Sequence, residues 1–134
     1  MAGYSGTPLA SKLGIKEGHV VVQLGGPERL LPDEVPVRRR LPKRADVVLF
    51  FTAERAALER RLPALRAAVE PAAALWVCWP KRASKVATDV TEDVIRDVVL
   101  PTGLVDVKVC AVDDVWSGLK LVVRRELRAG AVPP

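Results

Sequence analysis

The chain has 134 residues, 49% of them apolar and 28% charged, which fits one globular domain and excludes both a two-core protein and a chain too polar to fold. Its 21 Lys and Arg against 16 Asp and Glu leave a net charge of +5, a mild bias toward acidic partners that names none of them. No apolar run approaches the roughly 20 residues that cross a bilayer, and residues 1–14 lack the basic-then-apolar layout of a secretion signal. We therefore expect a cytoplasmic protein with no membrane partner: a single α/β domain over residues 1–128 and a loose tail over 129–134.

Thr7-Pro8 with Leu9, Leu13 and Gly14 reads as a short helix that Thr7 caps and Gly14 ends. His19 to Leu24 is a β-branched run closed by Gly25-Gly26-Pro27, the pattern of a buried strand followed by a turn. Val35 to Leu41 alternates apolar with basic residues and carries Pro36, which suits an edge strand. Only residues 25–34 join these two strands, so their relative direction stays open. Ala45 to Phe51 is apolar on both faces, as a central parallel strand requires.

Thr52 then caps a helix on which Leu58, Leu62, Leu65 and Val69 share one face, with Pro63 kinking or restarting it. Ala74 to Trp79 reads as another buried strand. A second amphipathic helix follows through Val90, Val94, Ile95, Val98 and Val99, with Asp89, Glu92 and Asp93 in its first turn, where the helix dipole favours negative charge. Leu104 to Val112 and Leu119 to Arg125 form two strands joined as a hairpin through Trp116-Ser117-Gly118. Alternating strands and helices predict an α/β fold with a Rossmann-like, mostly parallel sheet of about six strands and a C-terminal antiparallel hairpin.

Gly14-Ile15-Lys16-Glu17-Gly18-His19-Val20-Val21-Val22, Ala45-Asp46-Val47-Val48-Leu49, the lead-in from Val69 to Val77 and the closing hairpin resemble the sheet of class I methyltransferases. That likeness implies a methyltransferase-like fold over residues 14–125. Gly3-Tyr4-Ser5-Gly6-Thr7-Pro8-Leu9, Trp79-Pro80-Lys81, Ala87-Thr88-Asp89 and Val115-Trp116-Ser117-Gly118-Leu119 resemble a family of small bacterial proteins, the domain of unknown function three thousand and fifty-two. This second likeness spans nearly the whole chain and implies no catalytic residue and no cofactor.

A methyltransferase needs a flexible glycine loop after its first strand and an acid at the end of its second, which holds the ribose hydroxyls. The loop here is Gly25-Gly26-Pro27-Glu28, without G-x-G, and Arg38-Arg39-Arg40 fall where the acid belongs. A basic residue there suits a phosphate instead. His19 has no Ser, Cys or acid beside it in sequence, Asp113-Asp114 suits a solvated turn, and Trp76, Trp79 and Trp116 suit the core, with Trp116 the best exception. Cys78 and Cys110 sit in apolar runs and match neither a zinc spacing nor a redox pair, so both read as buried free thiols.

In open α/β sheets ligands bind beyond the carboxyl ends of the strands. The expected layout puts Gly25, Gly26, Arg38, Arg40, Lys81, Arg82, Ser84 and Lys85 on that side as a basic, ligand-binding crevice for an anion, either a nucleotide or a nucleic acid. The competing reading is that these are solvated loop charges. Two functional classes follow: a non-catalytic binding or regulatory module for a phosphorylated ligand or nucleic acid, and a divergent cofactor-dependent enzyme.

Overall fold

The structure is a computed structural model that describes residues 8–127. The Thr7 cap, the motif at residues 3–7 and the tail at residues 129–134 lie outside the described residues. Six strands form one mixed sheet: β1 (Val21–Leu24), β2 (Val37–Arg38), β3 (Ala45–Phe51), β4 (Val69–Pro80), β5 (Leu104–Ala111) and β6 (Trp116–Val123). Their order across the sheet is β2-β1-β3-β4-β6-β5. The first four are mutually parallel, and β6 runs against both β4 and β5. β6 is thus the one reversed strand, slotted between β4 and β5.

The period-two alternation of a strand sends successive side chains to opposite faces, and the core divides accordingly. Val48, Phe50, Leu75, Val77, Leu119 and Leu121 pack on one face against α2 (Arg55–Ala68) and α3 (Glu92–Val99). Val47, Leu49, Phe51, Ala74, Trp76 and Cys78 pack on the other, beneath α1 (Pro8–Lys12) and the loop residues Leu30, Leu31 and Val35. β3 and the second half of β4 are apolar on both sides because both sides are covered.

The β1–β2 connection has no helix, yet the pair is parallel. The loop itself makes the crossover and buries Val35 against the sheet. β2 shrinks to two residues at the sheet edge, shorter than the Val35 to Leu41 expectation, because the arginines after Val37 have only one neighbour to pair with.

Five further expectations are corrected. Pro63 lies inside a single helix, on its exposed side, and Val69 begins β4 instead of extending the helical face. Thr52 is not the cap residue of α2. Glu54 is, and the Thr52 hydroxyl accepts from the Glu54 N–H at 3.1 Å. Asp89 precedes α3, whose N-cap is Thr91, and its Oδ1 accepts from the Arg55 N–H at 2.7 Å, so it caps α2 from a distant loop. Trp116-Ser117-Gly118 lie within β6. The hairpin turn is held one step earlier, by the Asp113 carboxylate accepting from the N–H groups of Val115 and Trp116 at 2.8 Å each.

Candidate functional site

The carboxyl ends of the parallel strands carry the glycine turn after β1, the arginines after β2, Thr52 after β3 and Lys81 after β4. The order β2-β1-β3-β4 places a change of winding direction between β1 and β3, where ligands of such sheets settle. That crevice is filled by the protein. Gly25 and Gly26 have φ of 80° and 76°, and a Cβ on Gly26 would lie 2.6 Å from Phe51 Cγ. The glycines are required by the left-handed turn and by the Phe51 ring lying against them, which uses the close approach that a cofactor would need. Phe51 in turn meets Trp116 edge to face, with ring centroids 5.1 Å apart.

The turn is also pinned from below. Gln23, buried in the sheet, donates through Nε2 to the carbonyls of Gly25 (2.9 Å) and Pro27 (2.7 Å). Arg39 Nη2 donates to the Glu28 carbonyl at 2.8 Å, which ties the arginine run to the same turn. Arg38 and Arg40 are exposed beside it, with no ion pair among the described residues.

The second basic segment stands apart. From β2 to β4 is three strand spacings, about 14 Å, with the Phe51-filled crevice between. Here a cleft of about 350 Å³ opens at the end of β4, lined by Trp79, Pro80, Arg82, Lys85, Val86 and Thr88 among others. The backbone of Lys81 is fixed by its N–H to the Val115 carbonyl at 2.7 Å. Ser84 spends its hydroxyl inside the short turn Arg82–Ser84, donating to the Lys81 carbonyl and accepting from the Val86 N–H. Lys85 follows in a left-handed conformation, φ 61°. The far end of this loop is sewn to the start of α2 by Thr88 Oγ1 donating to the Ala53 carbonyl at 2.6 Å and by the Asp89 cap.

Of the eight residues expected to form one crevice, the structure brings Arg82 and Lys85 into one cleft and leaves Gly25, Gly26, Arg38 and Arg40 around another turn. Lys81 and Ser84 shape the loop between them. Trp79 is a core residue, as expected, and only its exposed edge lines the cleft; sequence reading missed Thr88 and Asp89 as the stitches of the cleft wall. The Trp79 side chain makes no hydrogen bond, and no buried side-chain nitrogen or oxygen among the described residues lacks a partner, so its indole N–H reaches solvent.

Nucleophilic chemistry finds no support in the two thiols. Burial pushes the Cys78 thiol well above its ordinary range, and the nearby Cys110 and Asp113 push it further. Cys110 is half-buried, not buried as expected. Burial raises its pKa as well, with Lys12 and Lys108 pulling the other way. His19 lies at the opposite end of the sheet, beside Asp46 in a separate cavity, with its Nδ1 accepting from the Lys16 N–H at 3.1 Å. Among the described residues no group of three or more His, Cys, Asp or Glu could hold a metal ion, and no helix is long and apolar enough to cross a membrane. Comparison with protein-family models and with curated proteins finds no match to this chain.

Proposed function

We propose that this protein is a non-catalytic binding or regulatory module of Rossmann-like, methyltransferase-like fold, working in the cytoplasm on a phosphorylated ligand, and that the ligand sits in the cleft at the end of β4. The observation that carries the reading is the pairing of Arg82 and Lys85, neither in an ion pair among the described residues, with the apolar surface of Trp79 and Val86 in one cleft. Cations free of carboxylates suit a phosphate, and the exposed edge of the Trp79 indole offers one N–H donor beside Val86. The carboxylates of Asp89 and Asp113 accept from the backbone N–H groups of Arg55, Val115 and Trp116 and form no ion pair with Arg82 or Lys85. The likeness to the domain of unknown function three thousand and fifty-two belongs to the same reading.

Two observations favour other occupants. The exposed Arg38 and Arg40, about 14 Å along the same edge, suit a longer anion, which makes single-stranded nucleic acid the second candidate. The strand order, with one reversed strand next to the last, favours a divergent cofactor-dependent enzyme, but the Phe51 ring on Gly26 weighs against a cofactor at the β1 turn.

The experiment is a calorimetric titration of the four ribonucleoside diphosphates, and separately of a single-stranded oligonucleotide, into the parent and into the Arg82→Glu/Lys85→Glu variant. We expect nucleotide binding by the parent and none by the variant, with an unchanged melting temperature because both residues are at the surface. Affinity that falls only mildly from low to physiological salt marks the nucleotide, and a steep fall marks nucleic acid. Equal binding by parent and variant, or no binding by the parent, contradicts the proposal.

A further inference from the structure

A second cavity, of about 390 Å³, opens at the amino end of the strands on the face that α1 covers. Its origin is a break in pairing. Ala45 pairs with Val69 and Val47 with Ala74, so one residue of β3, Asp46, stands against four of β4, residues 70–73. Such a bulge pushes the strand out of the sheet plane. Where it does so, β4 carries Ala72 and Ala74, whose small side chains leave the space open, with Val47, Val122 and Leu13 as apolar walls, while the Ala73 side chain is buried in the core of the opposite face.

The polar lining is mostly cationic. Lys16 and Lys120 both line the cavity and neither forms an ion pair among the described residues. A Cβ built on Gly14 would lie 3.9 Å from Lys120 Nζ, which places that ammonium beside the glycine that follows α1. Lys108 pairs in register with Lys120. His19 accepts the Lys16 N–H on Nδ1, so its neutral ring carries its proton on Nε2 and is a donor there. The single carboxylate in the lining, Asp46, is engaged at Oδ2 by the Val20 N–H at 2.7 Å.

We infer that this cavity is a binding site for a small organic anion, an apolar body bearing one carboxylate or phosphate group, with Lys16 and Lys120 receiving the charge and Ala72, Ala74 and Val122 receiving the body. Its volume lies in the range of small-ligand sites, and an apolar pocket with few convergent polar groups is their usual form. It is separate from the β4 cleft: five residue steps of strand, about 16 Å, separate Ala74 from Trp79.

Benzoate and phenyl phosphate are the probes, and benzamide is the neutral control of the same shape. Amide resonances are followed by two-dimensional NMR in the full chain, the parent beside Lys16→Gln/Lys120→Gln, Ala72→Phe and Arg82→Glu/Lys85→Glu. We expect saturable shifts at Gly14, His19 and Ala73 with at least one anion, and affinity about tenfold weaker for benzamide and for the lysine variant, since each lacks the charge-assisted contacts. The stronger of the two anions tells carboxylate from phosphate. Ala72→Phe fills the cavity from its exposed rim and should abolish the shifts, while Arg82→Glu/Lys85→Glu should leave them intact whether or not the β4 cleft binds nucleotides. Absence of shifts at these amides with both anions, or benzamide binding as well as the anions, overturns the inference. So does undiminished binding by the folded lysine or phenylalanine variants.

Discussion

Gly26 is the residue on which the reading of the carboxyl edge turns. Its left-handed φ and the 2.6 Å from a Cβ position to the Phe51 ring make any side chain there both strained and overpacked. Gly26→Ala should cost about 1–3 kcal/mol of stability, read as a lower denaturant midpoint. An unchanged midpoint would mean that Phe51 does not lie on the turn and that the crevice is open. Cys78 is a second test at this scale. The raised pKa keeps its thiol protonated, and burial denies access. A thiol reagent at neutral pH should leave Cys78 unmodified in the folded protein, react slowly with half-buried Cys110, and reach both only after denaturation.

Among the elements, α3 is fixed to the edge strand by charge. Arg96 donates to Asp106 Oδ2 on β5 at 3.0 Å, to Asp93 at 3.1 Å and to Glu92 one turn before it. The hydrogen bond from Arg96 is the main cause of the lowered Asp106 pKa. A carboxylate whose folded pKa is depressed adds stability that is present above its unfolded pKa and is lost as pH falls through the folded one. Acidification below about pH 4 should therefore weaken the parent more than Asp106→Asn, seen as melting temperatures that converge at low pH. Curves that stay parallel would show that the pair contributes nothing.

The legibility of the elements follows from how local their causes are. β3 matches its sequence bounds because five consecutive residues, Val47 to Phe51, buried on two faces leave no other period to read. In α2 and α3 the buried Leu58, Leu62, Leu65, Ile95 and Val99 recur at helical spacing. The start of β4 was not legible, since Pro71-Ala72-Ala73 has neither strand nor helix period and takes its form from the bulge opposite Asp46. Trp116 looked like a turn residue only because Gly118 follows it closely. That glycine is in fact needed inside β6, where a Cβ would meet Trp76 at 3.1 Å and Cys78 Sγ at 3.4 Å.

At the scale of the whole molecule, the positive charge is concentrated in separate places: the arginines beside the β1 turn, the cleft after β4, and the lysine-lined cavity under α1. The first two were readable because each basic run is contiguous in sequence and falls at a strand end. The third was not, because Lys16, Asp46, the three alanines and Lys120 come from four distant segments that only the sheet brings together. Division of the expected single crevice into two also lay beyond the sequence, since it depends on where the Phe51 ring lies. S-adenosylmethionine should not bind with micromolar affinity, because the Phe51 ring lies on the β1 turn and no acid ends β2. The most direct measurement of the central claim is a residue-resolved NMR titration with the four ribonucleoside monophosphates and with S-adenosylmethionine. The account predicts saturable shifts from the nucleotides at residues 81–91 and at the Trp79 indole N–H, and no response to S-adenosylmethionine. Shifts centred on Gly25, Gly26 and Phe51 with S-adenosylmethionine, or no nucleotide shifts along residues 81–91, would contradict it.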